Sequence, residues 1–299
     1  MATLVTGRPA RKTATALTPY LLLLPGLLFV LGVLGYGVVS GAVLSLHEVD
    51  AFLNRRFVGF ANYASVFSDP RFQASLWRTV WFVFYSIALS LALSLVFALT
   101  LDRVTRARQF LRGLSLVPYF VSGIATAVMW RFLFSSNVGL VNRILSAIGL
   151  PGQSWLGDPT LSFVVCVLAN AWFIVPFSTL ILLSGLQTID RQLYDAARID
   201  GAGGVRVFRY ITLPLIKPML GVSLIWLSYA SFSMFDIIVA LTGGGPFRAT
   251  EVVSLYMYQV GFRFLDFGEA SVLMLVLLAI NTLLSLVYLR VFVIGGSEA

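Results

Sequence analysis

The sequence predicts an all-α integral membrane protein, and three observations lead to that fold class. Hydrophobic residues make up 59% of the 299 residues, and charged residues make up only 11%. A soluble domain carries roughly 25% charged residues, so this chain cannot cover a water-facing surface with charge. Charge-free runs of the length that crosses a bilayer also recur along the whole chain.

Six apolar runs predict six membrane-spanning helices in one transmembrane domain over residues 18–293. The predicted spans cover residues 18–46, 79–101, 113–134, 160–186, 218–242 and 270–290. The first run follows basic residues as a signal peptide does. It is too long for one and lacks a small-residue cleavage site, so we expect a retained helix.

The distribution of Lys and Arg predicts a multi-pass protein of the cell membrane with both termini in the cytoplasm. The segments 1–17, 102–112, 190–217 and 290–299 then lie inside and carry most of the basic residues. The loops 47–78, 131–158 and 243–269 lie outside, are longer in sum and carry fewer. The loop 47–78 weakens the contrast, because it holds Arg55, Arg56, Arg71 and Arg78.

Composition also excludes several functions. The net charge of +8 sits in short loops between apolar runs, which indicates membrane orientation and not nucleic-acid binding. One cysteine, Cys166, and one histidine, His47, cannot form a usual metal site. The sequence contains no P-loop and no evident nucleophile with its base, so we expect no catalytic residue, no metal and no cofactor.

The segment 190–217 is the most informative part of the chain. Its first part is amphipathic, with Asp195 near the start of a predicted helix, where the helix dipole favours an acid. Gly201 ends that helix, and a second helix from about residue 205 leads to Leu213 and Pro214. An ordinary cytoplasmic loop is the alternative, but loops of this length with their own helices are more often functional. A helix–turn–helix here would suit the docking of a soluble partner.

This segment resembles the EAA signature of binding-protein-dependent ABC importer permeases. The signature reads E-A-A, then G four residues later, then I-x-L-P. The matching positions are Asp195, Ala196, Ala197, Gly201, Ile211, Leu213 and Pro214. Asp195 stands where the family usually has Glu, which keeps the charge and shortens the side chain by one methylene.

Three further stretches resemble the first-type permease of the sugar branch of that family. They are residues 58–63 with 69–72 and 77–79, residues 241–246 with Thr250, and Asn170-Ala171-Trp172 before Pro176. The branch imports sugars, oligosaccharides and glycerol-3-phosphate-like solutes. The sequence does not indicate which of these solutes this chain carries.

The resemblance implies a type I importer architecture. Two homologous permeases form the pore in the lipid, a dimer of ABC ATPase subunits binds below, and an extracytoplasmic solute-binding protein delivers the solute. ATP hydrolysis then belongs to the ATPase, and segment 190–217 forms the coupling helix. The residues expected to couple to the ATPase are Asp195, Ala196, Ala197, Asp200, Gly201, Leu213 and Pro214.

The substrate path is predicted from polar residues in the spans that flank this loop. On the fourth and fifth spans these residues are Asn170, Trp172, Tyr229, Ser233 and Asp236. In a continuous helix the last three lie at i, i+4 and i+7 and share one face. Packing between helices is the alternative for the serines, and Asp236 either lines the path or pairs with the second permease.

Two other classes of protein remain as alternatives to the importer permease. An ion-gradient-driven transporter or a channel would call for intramembrane ionisable residues, of which Asp236 is the main example. A membrane enzyme would need a catalytic constellation, which the sequence does not offer.

Overall fold

The computed structural model of the protein describes residues 12–49, 55–104 and 108–294. Most of the predicted segment 1–17 therefore lies outside the described residues. The described chain is helical apart from its turns, connecting segments and one two-stranded hairpin. The hairpin corrects the all-α expectation on a small scale.

The first half of the chain contains the hairpin and eight helices among the described residues. The elements are α1 (Lys12–Val30), α2 (Tyr36–Ser45), β1 (His47–Val49), β2 (Arg55–Phe57), α3 (Ala61–Ser68), α4 (Pro70–Arg103), α5 (Arg108–Ser115), α6 (Val117–Phe120), α7 (Gly123–Leu133) and α8 (Leu140–Ala147). A π-helical turn, Leu31–Gly35, joins α1 to α2 without a break in the helix. The strands pair antiparallel, with His47 opposite Phe57.

The second half follows with eight more helices in the described part of the chain. They are α9 (Pro159–Leu186), α10 (Arg191–Ile199), α11 (Gly204–Val207), α12 (Leu213–Leu215), α13 (Lys217–Phe232), α14 (Asp236–Leu241), α15 (Val253–Phe262) and α16 (Phe267–Tyr288). A π-helical turn, Phe208–Thr212, joins α11 to α12, and another, Leu289–Ile294, extends α16.

Four of the six predicted spans are long apolar helices. Within the described residues they are Leu21–Ser45, Pro70–Arg103, Pro159–Leu186 and Phe267–Ile294. The predicted fifth span, 218–242, is divided between α13 and α14. Helix α13 is also the second arm of a pair, Gly204–Leu215 and Lys217–Phe232, that bends by 70°. The predicted third span, 113–134, is wrong as a single helix, because it is divided among α5, α6 and α7.

The two central helices, α4 and α9, begin with the same sequence signal, an Asp followed by Pro. Asp69 Oδ1 accepts a hydrogen bond of 2.8 Å from the Arg71 amide, and Asp158 Oδ1 accepts from Thr160 and Leu161 at 2.9 Å. The carboxylate satisfies amides that the helix leaves free, and Pro has no amide to satisfy at its first position. Helix α4 therefore begins at residue 70, nine residues before the predicted span.

Helices α4 and α9 pack closely along a row of small polar residues. Ser86, Ser90 and Ser94 recur on one face of α4 and are fully buried. Ser94 Oγ donates to the Val175 carbonyl of α9 at 3.2 Å. Small side chains let two membrane helices approach, and their hydroxyl groups bond across the contact.

A cluster around Arg71, which we call the Arg71 clamp, joins the start of α4 to α15. Arg71 donates to both carboxylate oxygens of Glu251, at 2.9 and 2.7 Å, and also bonds Gln259. Its guanidinium lies 4.8 Å from the centre of the Tyr256 ring, and the Tyr256 hydroxyl donates to Asp69. Residues about 180 positions apart are thus held in one network.

The Asp69 carboxyl is acidified by this clamp. Burial acts to raise its pKa, but the hydrogen bonds from Tyr256 and from the Arg71 and Phe72 amides oppose that effect. Together with the charge of Arg71 they hold the pKa of Asp69 below its ordinary value. The clamp therefore favours an ionised Asp69.

The hairpin is fixed against the start of α16. Asn62 Nδ2 donates to the carbonyls of Ser45 and His47, both at 2.9 Å. Gly268 lies so close that a Cβ there would collide with the His47 carbonyl oxygen. The described part of the loop 47–78 thus contains helix α3, the hairpin and the first residues of α4.

Candidate functional site

The loop between α9 and α13 is a compact helix–turn–helix, as the sequence predicted. Asp190 caps α10 by accepting from the Gln192 amide at 2.9 Å. At the other end Gly201 has φ +72°, a conformation that costs glycine little. Its amide bonds the Arg198 carbonyl, and the Ala202 amide bonds the Ala197 carbonyl, which completes a Schellman stop.

Asp195 does not lie in the first turn of α10. It is the fifth of nine residues, and the first turn holds no acidic side chain. The expected favourable interaction with the helix dipole is therefore wrong for Asp195, and Asp190 performs the capping instead. Asp195 pairs with Arg198 at 3.2 Å, and both side chains are largely exposed.

The other signature residues divide into a buried and an exposed set. Ala197 is buried, whereas Ala196, Asp200 and Pro214 are exposed. Leu213 packs against the cluster at the ends of α4 and α9. The inner side of the loop thus anchors it to the bundle, and the outer side is exposed.

A hydrogen bond and a sharp bend fix the loop relative to the bundle. The Tyr194 hydroxyl and Thr212 Oγ1 lie 3.2 Å apart and join α10 to the π-helical turn Phe208–Thr212. Ile216, at the 70° bend between α12 and α13, is fully buried. The loop is therefore attached to α13 through a packed joint.

The tip of the loop carries exposed apolar side chains. Ile199 is 87% exposed and Val205 is 84% exposed, on either side of the Gly201 turn. A cavity of about 1070 Å³ lies between the loop and the ends of α4 and α9, and Leu99, Arg103, Leu186, Tyr194 and Phe208 are among its lining residues. The exposed side chains at this tip are a candidate contact surface for another protein.

The predicted third and fifth spans are both interrupted, and their last segments pack against each other. In the third, α6 ends at Phe120, and Ser122 caps α7 by accepting from the Ala125 amide at 3.2 Å. In the fifth, Ser233 ends α13 and Asp236 begins α14. Helix α14 packs on α7, and α9 contacts both.

This interruption corrects the predicted polar face. Tyr229 belongs to α13, Ser233 is its C-terminal cap, and Asp236 belongs to the next helix. The i, i+4, i+7 argument assumed one continuous helix and is wrong for these three residues. Tyr229 and Ser233 are exposed in this chain, and Asp236 is partly buried.

Asp236 occupies the N-terminus of α7. Its carboxylate lies directly against the Cα of Gly123, the first residue of that helix, so closely that a Cβ on Gly123 would collide with Oδ2. The positive end of a helix dipole stabilises a negative charge there. Two interrupted spans are thereby brought together by a carboxylate and a glycine.

The polar residues predicted on the fourth span make contacts inside this chain. Asn170 is fully buried and donates from Nδ2 to Ser231 Oγ at 3.2 Å. The hydroxyl groups of Ser178 and Ser223 lie 2.6 Å apart, a buried contact between α9 and α13. Trp172 is partly buried.

Sequence reasoning missed an aromatic cluster beside the interruption. Tyr119 of α6 stacks on Phe177 of α9 at 5.4 Å between ring centres, and Trp226 of α13 lies 4.5 Å from Phe177. Tyr229 extends the cluster from Trp226 at 6.4 Å. Its members come from three separate helices, so no local pattern identifies them.

The described residues contain no group of three His, Cys, Asp or Glu side chains placed to hold a metal ion. The loop 190–217 and the interrupted spans are the two candidate functional regions.

Comparison with known proteins gives one family. The family model described as "binding-protein-dependent transport system inner membrane component" matches residues 90–293. The trehalose/maltose transport system permease protein MalF of Thermococcus litoralis is 40% identical over 273 residues, which cover 91% of this chain and 92% of that protein. The sn-glycerol-3-phosphate transport system permease protein UgpA of Shigella flexneri is 34% identical, covering 91% of this chain and 92% of that protein.

A solved structure shares the fold. A chain of the bacterial alginate ABC transporter, in complex with alginate pentasaccharide-bound periplasmic protein, superposes with a TM-score of 0.78 at 21% identity. The match covers 94% of this chain and 96% of that chain.

Proposed function

The chain belongs to the family of binding-protein-dependent transport system inner membrane components, and from this premise we propose how it works as the permease subunit of an ABC importer. It forms half of a translocation pore with a second homologous permease. A dimer of ATPase subunits binds the loop 190–217, and an extracytoplasmic solute-binding protein delivers the solute from the other side. The solute is a sugar, an oligosaccharide or a glycerol-phosphate-like compound, as the names of the relatives suggest.

The observation that carries the coupling role is the shape of the loop 190–217. Its inner residues are anchored by Tyr194, Thr212 and Ile216, and its tip presents Ile199 and Val205. A rigid apolar projection of this kind suits the cleft of a soluble partner. Asp195 and Asp200 lie beside the tip as exposed acids that an ATPase arginine or lysine can contact.

The orientation with both termini in the cytoplasm places this loop inside the cell. Three of the four arginines that weakened the count have structural partners. Arg71 is held by Glu251, Arg56 pairs with Glu48 at 2.6 Å, and Arg78 donates to the Glu251 carbonyl at 3.4 Å. These contacts supply a reason for arginine in that loop that is independent of orientation.

A count of six membrane crossings is compatible with the interruptions if the third and fifth spans each cross in more than one segment. Helices interrupted within the membrane are tolerated where the exposed backbone is covered by protein or lines a cavity. Membrane transporters commonly place solute sites at such points. Asn170, Trp172, Tyr229, Ser233 and Asp236, with the aromatic cluster of Tyr119 and Trp226, are the residues that we assign to the region of the path.

An ATP-dependent uptake assay tests this proposal. The permease is expressed with the neighbouring transport genes, purified and reconstituted with its ATPase. We expect the ATPase to co-purify and uptake to require ATP while resisting ionophores that collapse ion gradients. Uptake that continues without the ATPase and stops with the ionophores would indicate the ion-gradient-driven alternative, which the family does not favour.

A further inference from the structure

The charge at the interrupted spans bears on the chemical class of the solute. The relatives do not decide it, since the name of one gives uncharged sugars and the name of another gives a phosphate ester. Helix α7 begins at Gly123 next to the interruption, with its positive end directed there. In interrupted membrane helices such an end is a natural binding point for an anionic solute group.

In this chain that point is already filled. The Asp236 carboxylate lies on Gly123, and any side chain larger than hydrogen at position 123 would displace it. A second anion would meet both an occupied helix end and a negative charge in a medium of low dielectric constant, where repulsion is strong.

The described helices around Asp236 carry no basic side chain near Gly123 that could offset that repulsion. On α6, α7, α9, α13 and α14 the Lys and Arg residues are Arg131 and Lys217. Arg131 lies eight residues beyond Gly123, about 12 Å along the helix, and Lys217 begins α13 at its far end. None of the described ion pairs involves Asp236.

The polar groups that these helices do provide are uncharged. Thr126 Oγ1, Asn170 Oδ1 and Trp226 Nε1 are buried polar atoms that have no hydrogen-bond partner among the described residues. Thr126 lies one turn from Gly123, and Asn170 bonds Ser231 beside the end of α13. Tyr119, Trp226 and Tyr229 add aromatic rings, which have apolar faces with polar edges.

We propose that the solute is an uncharged saccharide or polyol, and that Asp236 selects against anionic solutes by filling the N-terminus of α7. This inference rests on the proposed function, because it assumes that the interrupted spans border the path. Asp236 then acts as a specificity-determining residue through its charge and not as a direct ligand of the sugar.

The test measures uptake by cells that express the complete transporter with its binding protein. Labelled trehalose, maltose and raffinose serve as uncharged probes, and sn-glycerol 3-phosphate and digalacturonate serve as anionic probes. Asp236→Asn removes the charge with little change of shape, and Gly123→Ala displaces the carboxylate. Asp158→Asn and Gly113→Ala are the controls, since Asp158 caps α9 and Gly113 has open space around its Cα.

We expect the wild-type transporter to take up at least one uncharged probe and to reject both anions. Asp236→Asn should raise the anion-to-neutral uptake ratio by about tenfold, equivalent to about 1.4 kcal/mol. Gly123→Ala should change the ratio in the same direction, and the double variant should change it by less than the sum of the two effects. The controls should leave the ratio unchanged.

Two results would overturn the inference. One is wild-type uptake of an anionic probe at a rate equal to or above that of every uncharged probe. The other is an unchanged ratio in both Asp236→Asn and Gly123→Ala. In either case a co-purifying ATPase and ATP-dependent uptake would leave the importer function standing, whereas loss of the ATPase would remove both.

Discussion

The Arg71 clamp and the loop 190–217 each contain an arginine paired with a carboxylate, but the two pairs differ in burial. The side chains of Arg71 and Glu251 are 19% and 3% exposed, and two hydrogen bonds join them. Those of Arg198 and Asp195 are 77% and 67% exposed, with one contact of 3.2 Å. The first pair stabilises the fold of this chain, and the second is exposed to contact by another protein.

The difference teaches how to separate stability from function in this chain. Removing one member of a buried pair leaves an uncompensated charge, whereas an exposed pair contributes little to stability. We therefore expect substitutions in the clamp to lower the amount of folded protein, and substitutions at the loop to leave a folded permease that is impaired in coupling.

The largest effect is expected from breaking the clamp. Arg71→Ala or Glu251→Ala should lower the free energy of unfolding by about 3–5 kcal/mol, because the remaining partner stays buried without its counter-charge. Thermal unfolding of the purified permease in detergent measures this. The matched control is Glu48→Ala, which breaks the exposed pair with Arg56 and should cost less than about 1 kcal/mol. Equal losses in the two variants would contradict the assignment of the clamp as structural.

The next effect concerns the turn at Gly201. Gly201→Ala places a side chain at φ +72° and should cost about 1–2 kcal/mol locally. The loop should loosen, and stimulation of the ATPase by the permease should fall. Gly203→Ala is the control, since Gly203 has φ −70° and free space around it. If the two variants stimulate the ATPase equally well, the shape of the turn does not matter for coupling.

A smaller effect is expected from acid at the clamp. Because the pKa of Asp69 is lowered in the fold, its ionised form contributes stability above the ordinary value of 3.8. That contribution is lost as the pH falls through the lowered value. Thermal unfolding of the wild type and of Asp69→Asn should therefore differ near neutral pH and converge in strong acid. A difference that persists in strong acid would show that Asp69 does not act through its charge.

The smallest effect on stability is expected at Asp195. Asp195→Lys removes an exposed pair, so unfolding should shift by less than about 1 kcal/mol. Stimulation of the ATPase should nevertheless be lost, because Asp195 is expected to contact a basic residue of the ATPase and Lys would repel that residue. Arg191→Ala, on the same helix, is the control for a general change of charge. A strongly destabilised Asp195→Lys protein would mean that the loop is part of the folded core.

The sequence allowed the long spans and the loop to be predicted, because both depend on local patterns. Apolar runs predicted the four long helices, and the segment around Gly201 predicted the helix–turn–helix. The start of α4 was missed by nine residues, although Asp69-Pro70 carries a recognisable capping signal.

The interruptions and the clamp could not be predicted in the same way. Hydropathy treats an interrupted span as one run, and the fifth span is divided at Ser233 without Gly or Pro at the break. Ser122 and Gly123 offered a weak capping signal in the third. Arg71 and Glu251 are about 180 positions apart, so their contact arises from packing that no local pattern contains.

The most direct test of the coupling role is site-specific labelling at the loop tip. Val205→Cys introduces an exposed thiol, and the native Cys166 is buried and should not react. Phe247→Cys lies at a position that is 89% exposed in the turn after α14, which we expect on the opposite side of the membrane. We predict that a membrane-impermeant maleimide labels Val205→Cys in inverted vesicles, which present the cytoplasmic face, and not in intact cells. Added ATPase should protect Val205→Cys in the vesicles. Phe247→Cys should be labelled in intact cells, with or without the ATPase. Labelling of Val205→Cys from outside, or to the same extent with and without the ATPase, would contradict the account.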